Sequence, residues 1–271
     1  MEIRDLSKFT DQQYLKNDQY KDSSNLDARL AIHPRFSTNP YGWFNWLFDK
    51  LSILPANAKI LEIGCGNGAL WKNIADRIPD DWNIILSDLS PGMLDAAWRN
   101  LVVLGRSFKF EEIDAQSIPY ATDTFDAVVA NHMLYHVPDR PKAITDIKRV
   151  LKPSGRLFAT TVGDNHMHEM GEWRKRITHD RYRGPFSMSF TLENGKEQLT
   201  PFFQEVRLSR YEDHLEATEI EPIIAYLCSA IPLQEIDETE LGKLSAKLEV
   251  ELKEKGKIFI AKDSGLFEAV K

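Results

Sequence analysis

Two cysteines in 271 residues, Cys65 and Cys228, are too few and too far apart for a disulfide framework or a cysteine-rich zinc site. Long apolar runs are missing as well. The longest mostly apolar stretch, Ile223 to Leu233, is too short to span a bilayer and is interrupted by Pro232. The chain begins Met-Glu-Ile-Arg-Asp and leads into no apolar h-region, so no secretory signal, no membrane association and a cytoplasmic location are expected. Nor is there an excess of basic charge: 34 Lys and Arg face 41 Asp and Glu, a formal net charge of -7. A dedicated binder of phosphate backbones shows the opposite balance, which makes nucleic acid the poorer candidate partner. What remains, 42% hydrophobic and 28% charged residues without repeats or low-complexity tracts, is the composition of a globular chain. Its length buries a large core and leaves residues to cover a site.

The patterning divides the chain. Residues 1–55 are polar and mixed, with helical spacing around Leu26 to Ile32 and an apolar-aromatic helix from Tyr41 to Leu51; they read as a helical N-terminal lid. From 56 to 162 short apolar runs alternate with amphipathic helices. Strands are expected at Lys59–Ile63, Ile84–Ser87, Phe108–Ile113, Phe125–Ala130 and Arg156–Val162, with helices at Ala69–Ile78, Met93–Leu104 and Arg140–Leu151. Such alternation implies an α/β fold with a doubly wound parallel sheet covered on both faces. Residues 163–203 break the rhythm and read as an inserted cap, containing His166, His168, Trp173, His179 and Phe186. In 204–271 a strand is expected from Val206 to Asp213. A helix with a capping box at Asp237 and Glu240 follows, then a terminal hairpin of Ile258–Ala261 with Leu266–Val270.

Chemistry concentrates where expected strands end. Glu62-Ile63-Gly64-Cys65-Gly66-Asn67-Gly68 turns the first strand into its helix, and small residues there let the backbone approach a ligand. Gly64-x-Gly66-x-x-Ala69 formally satisfies a dinucleotide fingerprint, a weak signal alone. The fuller acidic-plus-three-glycine pattern fits an S-adenosylmethionine loop better, and a purely structural turn needs fewer glycines. Asp88, 24 residues after Gly64, ends the second strand and is placed to accept hydrogen bonds from a ribose, or else to cap the next helix. Leu89 and Met93 offer an apolar wall for an adenine, with Asp114 and the Ala115 amide at its polar edge.

These segments resemble the class I S-adenosylmethionine-dependent methyltransferases, particularly the small-molecule branch. The likeness covers Lys59 to Val162, including Leu-Glu-Ile-Gly-Cys-Gly-Asn-Gly, Ser-Asp-Leu-Ser-Pro-Gly-Met-Leu and the stretch from Phe125 to Val137. It implies a Rossmann-like seven-stranded sheet whose last strand is antiparallel. It further implies Glu62, Gly64, Gly66 and Gly68 around the methionine part of the cofactor, Asp88 at its ribose, Asp114 with Ala115 at its adenine, and Asn131 near the transferable methyl. Ser154 departs from the usual glycine of that family's Pro-Gly-Gly turn.

Candidates for the acceptor side are less defined. His132, Tyr135 and His136 follow the fourth strand, and a direct base among them is one reading, packing the other. The His132/His136 spacing permits two metal ligands, but no third is evident, so no metal is expected. His166 and His168 are alternative bases, though solvated loop positions are the simpler expectation. Tyr20 to Phe36 is expected to fold over the cofactor, with Arg29 toward the methionine carboxylate and Tyr20 and His33 behind it. In-line methyl transfer depends chiefly on alignment in a dry pocket, so the catalytic residue is the hardest to name. The expected activity is methyl transfer to a small molecule. RNA, DNA or protein methylation, nicotinamide chemistry and S-adenosylmethionine binding without turnover are the alternatives, and neither acceptor nor oligomeric state is readable.

Overall fold

The computed structural model describes residues 10–180, 189–229, 231 and 233–271; Phe186 and Pro232 lie outside these. Nine strands form in order: β1 Lys59–Ile63, β2 Asn83–Asp88, β3 Lys109–Glu112, β4 Phe125–Asn131, β5 Leu151–Val162, β6 Glu205–Tyr211, β7 His214–Ala217, β8 Ile258–Ala261 and β9 Ser264–Val270. Seven make one sheet in the order β3-β2-β1-β4-β5-β9-β6, and β7 pairs with β8 separately. β1 to β5 are mutually parallel. β9, the last strand, runs antiparallel between β5 and β6, as the family resemblance implies.

The strands are buried on both faces, which is why they read as apolar runs rather than alternating ones. Leu61, Ile63, Val128, Ala130, Leu157 and Ala159 point into one core; Ile60, Ala127, Val129 and Phe158 point into the other. That two-residue alternation across a sheet lets helices such as Pro91–Leu101 and Arg140–Val150 seal opposite sides. Ser90 caps the first through its hydroxyl, accepting from Met93 N at 3.2 Å; Asp139 caps the second, accepting from Lys142 N at 3.0 Å.

A third apolar cluster forms a lobe beside the sheet. It joins Ile32 and Phe36 of helix Ser24–Phe36, Met170 and Ile177 of helix His168–Ile177, Leu215 and Ile260 of the β7–β8 pair, and Leu244 and Leu248 of helix Glu238–Lys255. Helix Glu221–Ser229, which sequence patterning leaves unassigned, contributes Ile223 and Leu227. The expected terminal hairpin does not form. β8 pairs with β7 because both edges of β9 are already taken by β5 and β6. Segment 163–203 also divides: helix His168–Ile177 joins the lobe, whereas Phe190, Leu192, Leu199 and Phe203 enter the main core. The expected capping box is only half made. Asp237 accepts from Thr239 N and Glu240 N, but its own N–H donates to Ile177 O at 2.8 Å, leaving Glu240 to pair with Arg176 and Lys243. No helix among the described residues is long and apolar enough to cross a membrane.

Candidate active site

Sheet order reverses between β1 and β4, and a cavity of about 1140 Å³ opens at the carboxyl ends of these strands. Ligands of open α/β sheets bind in such crevices because strand ends on either side of the switch splay apart. Its floor begins with the glycine turn after β1. Gly64 adopts φ +68° and Gly66 φ +55°, left-handed backbone that glycine occupies without penalty. A Cβ on Gly64 would stand 2.8 Å from Met133 Cβ, so the loop after β4 presses directly on this turn. Cys65 is buried beside it, its thiol pushed well up by burial and by the nearby Asp88 and Glu62, and so held protonated. Gly68 departs from expectation. It does not line the cavity; at φ +74° its Cβ position lies 2.8 Å from Leu101 Cδ1, so packing against a neighbouring helix requires it to be glycine.

Three carboxylates from successive strands face this floor. Glu62 is buried and accepts from Trp71 Nε1 at 2.5 Å. Burial pushes it up to about 7, with the Asp88 charge adding to the rise and hydrogen bonds from Trp71 and Asn131 opposing it. Asp88 accepts from Gly66 N at 2.9 Å through one oxygen and from Ser90 N at 2.8 Å through the other. It therefore braces the glycine turn and begins the next helix, while each oxygen keeps a second lone pair. Burial raises Asp88 against these two bonds. Asp114 is also raised by burial, but donation from Gln116 N, Gln12 and the Gln116 side chain outweighs it and leaves the group below its ordinary value. Leu89, Met93 and Ala115 complete this wall, and Asn131 closes β4, its Oδ1 accepting from Thr160 Oγ1 at 2.6 Å.

The N-terminal segment covers this side. The short helical stretch Gln12–Gln19 brings Gln12 Nε2 to 3.0 Å from Asp114 Oδ2, and Ser90 Oγ donates to Tyr20 O at 2.7 Å. Tyr20 Oη lies 3.1 Å from His136 Nε2, tying the lid to the loop after β4. Arg29 stands over the Tyr20 ring at 5.5 Å and lines the cavity. Tyr135 lines it too, its phenol pushed up by burial. Gln19 is a missed contributor: its Nε2 is buried in the wall and meets no protein acceptor. A lone buried amide carries no sequence signal, and neither does Gln12.

The other side of the cavity is built from distant segments. His132 sits at φ +48°, its N–H donating to Thr160 Oγ1 at 3.0 Å, and its ring lies 5.4 Å from that of Trp43. His33 and His166 line the same side, together with Lys262. Burial, with Lys262 contributing, lowers His132 to about 4 and His33 to about 3; burial and the neighbouring imidazoles take His166 down further. All three are neutral near pH 7. His166 is thus not a solvated loop residue, whereas His168 is exposed and outside the cavity. Lys262 and its partner Asp213 are the largest omission from the sequence reading. They form an ion pair whose side chains are 6% and 0% exposed, between residues that no periodicity relates.

The profile described as a methyltransferase domain matches residues 61–159. A demethylmenaquinone methyltransferase of Lactobacillus johnsonii is 31% identical over 145 residues, 51% of this chain and 59% of that protein. A ubiquinone biosynthesis O-methyltransferase of Stutzerimonas stutzeri is 30% identical over 140 residues, 51% of this chain and 58% of that one. The match thus spans under two thirds of the length of these relatives. Among solved structures, phosphoethanolamine N-methyltransferase 2 of Haemonchus contortus, in complex with S-adenosyl-L-methionine, superposes with TM-score 0.57 at 21% identity, over 97% of this chain and 60% of that one. The [4+2]-cyclase SpnF superposes with TM-score 0.58 at 17% identity over 96% of both chains, a likeness of fold alone.

Proposed function

We propose, from the premise that this chain carries a class I methyltransferase domain, that it binds S-adenosylmethionine and transfers its methyl group to a small-molecule acceptor. One observation carries the reading: Glu62, Asp88 and Asp114, from successive strand ends, face a single covered cavity with the glycine turn beneath them. Asp88 keeps lone pairs for two ribose hydroxyls, and Asp114 with the Ala115 amide suits an adenine edge. Glu62, nearly uncharged until something cationic approaches, suits the methionine ammonium, and Arg29 its carboxylate. The buried Gln19 amide, which meets no protein acceptor, supports a polar ligand on this side.

When bound, the cofactor supplies an electrophilic methyl on a sulfonium. The chain's own contribution is alignment and exclusion of water. The lid closes through the Tyr20–His136 bond and through Gln12 on Asp114. His132, Trp43 and Tyr135 wall the space beyond Asn131 where an acceptor enters. Two reduced cysteines suit a cytoplasmic setting. The test pairs calorimetry of S-adenosylhomocysteine with incubation of the chain, methyl-labelled S-adenosylmethionine and a metabolite extract freed of protein and nucleic acid. Label moving into the small-molecule fraction is expected. Binding without any transfer would leave a cofactor-binding protein, and transfer only into added protein or RNA would refute the acceptor class.

A further inference from the structure

The corner of the cavity formed by His33, His132, His166 and Lys262 has an electrostatic character of its own. The four carboxylates lining the cavity are Asp27, Glu62, Asp88 and Asp114, which belong to the strand ends and the lid. The charges acting on the three imidazoles are instead Lys262, Asp213 and one another. Asp213 does not line the cavity; it is held from behind by Ser37 Oγ at 2.7 Å, by Thr38 N and Asn39 N at 3.1 Å, and by Lys262. The buried ion pair therefore presents its ammonium end to the cavity and keeps its carboxylate away.

The imidazoles add donors. Asp263 N donates to His166 Nδ1 at 3.2 Å, and the Ser264 hydroxyl lies 3.3 Å from the same atom. A backbone N–H can only donate, so Nδ1 bears no proton and the neutral ring carries it on Nε2. His33 Nδ1 is buried without a hydrogen-bond partner, a costly arrangement unless a ligand completes it. An imidazole that burial and a nearby ammonium keep neutral takes up a proton poorly, yet it remains a good N–H donor. The same field stabilises an oxygen anion.

We propose that this corner receives the methyl acceptor through an acidic oxygen already ionised, as a phenolate, enolate or carboxylate, with Lys262 and His166 Nε2–H holding it and His132 positioning it. This rests on the methyltransferase reading above. The acceptor gives its proton to solvent on binding. In the transfer, the oxygen's electron pair forms the new C–O bond while the methyl–sulfur bond breaks and its pair stays on sulfur, so no protein base is required.

The probe is para-nitrophenol, whose ionisation is visible, titrated optically against the full chain with and without S-adenosylhomocysteine. Its apparent pKa on the protein is expected to fall by at least about one unit, a tenfold preference for the anion. Replacing Lys262 alone would strand a buried carboxylate, so the paired change Lys262→Met with Asp213→Asn is used, its fold checked by circular dichroism; it is expected to abolish the shift. His132→Asn, which tolerates the left-handed backbone, is expected to weaken binding with the shift retained. An unmoved or raised pKa, absence of binding, or a shift that survives the paired change would overturn the proposal. Failure of S-adenosylhomocysteine to bind would count against the methyltransferase reading instead, since the titration without it reports on the corner by itself.

Discussion

Replacing Asp88 with alanine isolates the cofactor reading most sharply. Its two oxygens each accept one backbone N–H, from Gly66 at 2.9 Å and Ser90 at 2.8 Å, so the side chain has a loop-bracing role before any ligand arrives. The proposed ribose contacts use the remaining lone pairs. Losing a charged acceptor facing two sheltered hydroxyls is expected to weaken S-adenosylhomocysteine binding by roughly 1.5–3 kcal/mol, or about 10- to 150-fold. The two N–H groups left behind lower stability as well, which confuses a single measurement. A double cycle separates the effects: calorimetry is run on both proteins with S-adenosylhomocysteine and with its 2′-deoxy analogue. The natural chain is expected to lose affinity on removal of the hydroxyl, whereas Asp88→Ala is expected to be indifferent to it. A folded Asp88→Ala that discriminates the two ligands as well as the natural chain would refute the ribose assignment, whatever its absolute affinity.

Other outcomes follow from particular contacts. Gly68→Ala forces a left-handed residue and a 2.8 Å approach to Leu101, so stability in urea is expected to fall by about 1–3 kcal/mol while the folded fraction keeps its cofactor affinity. Tyr20→Phe removes the 3.1 Å bond to His136; a loss of about 0.5–1.5 kcal/mol in cofactor binding is expected, with no further loss when His136→Asn is added. Glu62 stands at about 7 in the fold against an ordinary 4.5. The unfolded chain sheds this proton first as pH rises, so stability is expected to decline between those values, by something on the order of 3 kcal/mol, and Glu62→Gln is expected to flatten the decline. If the methionine ammonium approaches Glu62, it favours the carboxylate, so binding near pH 6.5 is expected to release a proton, seen as a calorimetric heat that changes with the buffer's ionisation enthalpy. Heats independent of buffer would remove Glu62 from the cofactor site.

What the sequence alone determined was local. Buried parallel strands read as short apolar runs, and turns demanding left-handed backbone place glycines at Gly64 and Gly66. Asp88 and Asp114 stand at strand ends, where topology alone brings carboxylates to one edge. Each of these signals lies within a few residues of the element it marks. Tertiary structure decided the remainder. Gly68 looks like its two neighbours in the sequence, and only the packing of Leu101 separates it from the ligand floor. Ile258–Ala261 carries a strand pattern, but nothing local says that β9 will have both edges filled, which sends β8 to β7. His33, His132, His166 and Lys262 come from four separate segments, and their character depends on burial and on the Asp213 ion pair behind them. Titration behaviour is set by what surrounds a group in space, so the half of the cavity facing the acceptor acquires its chemistry only when the chain is folded.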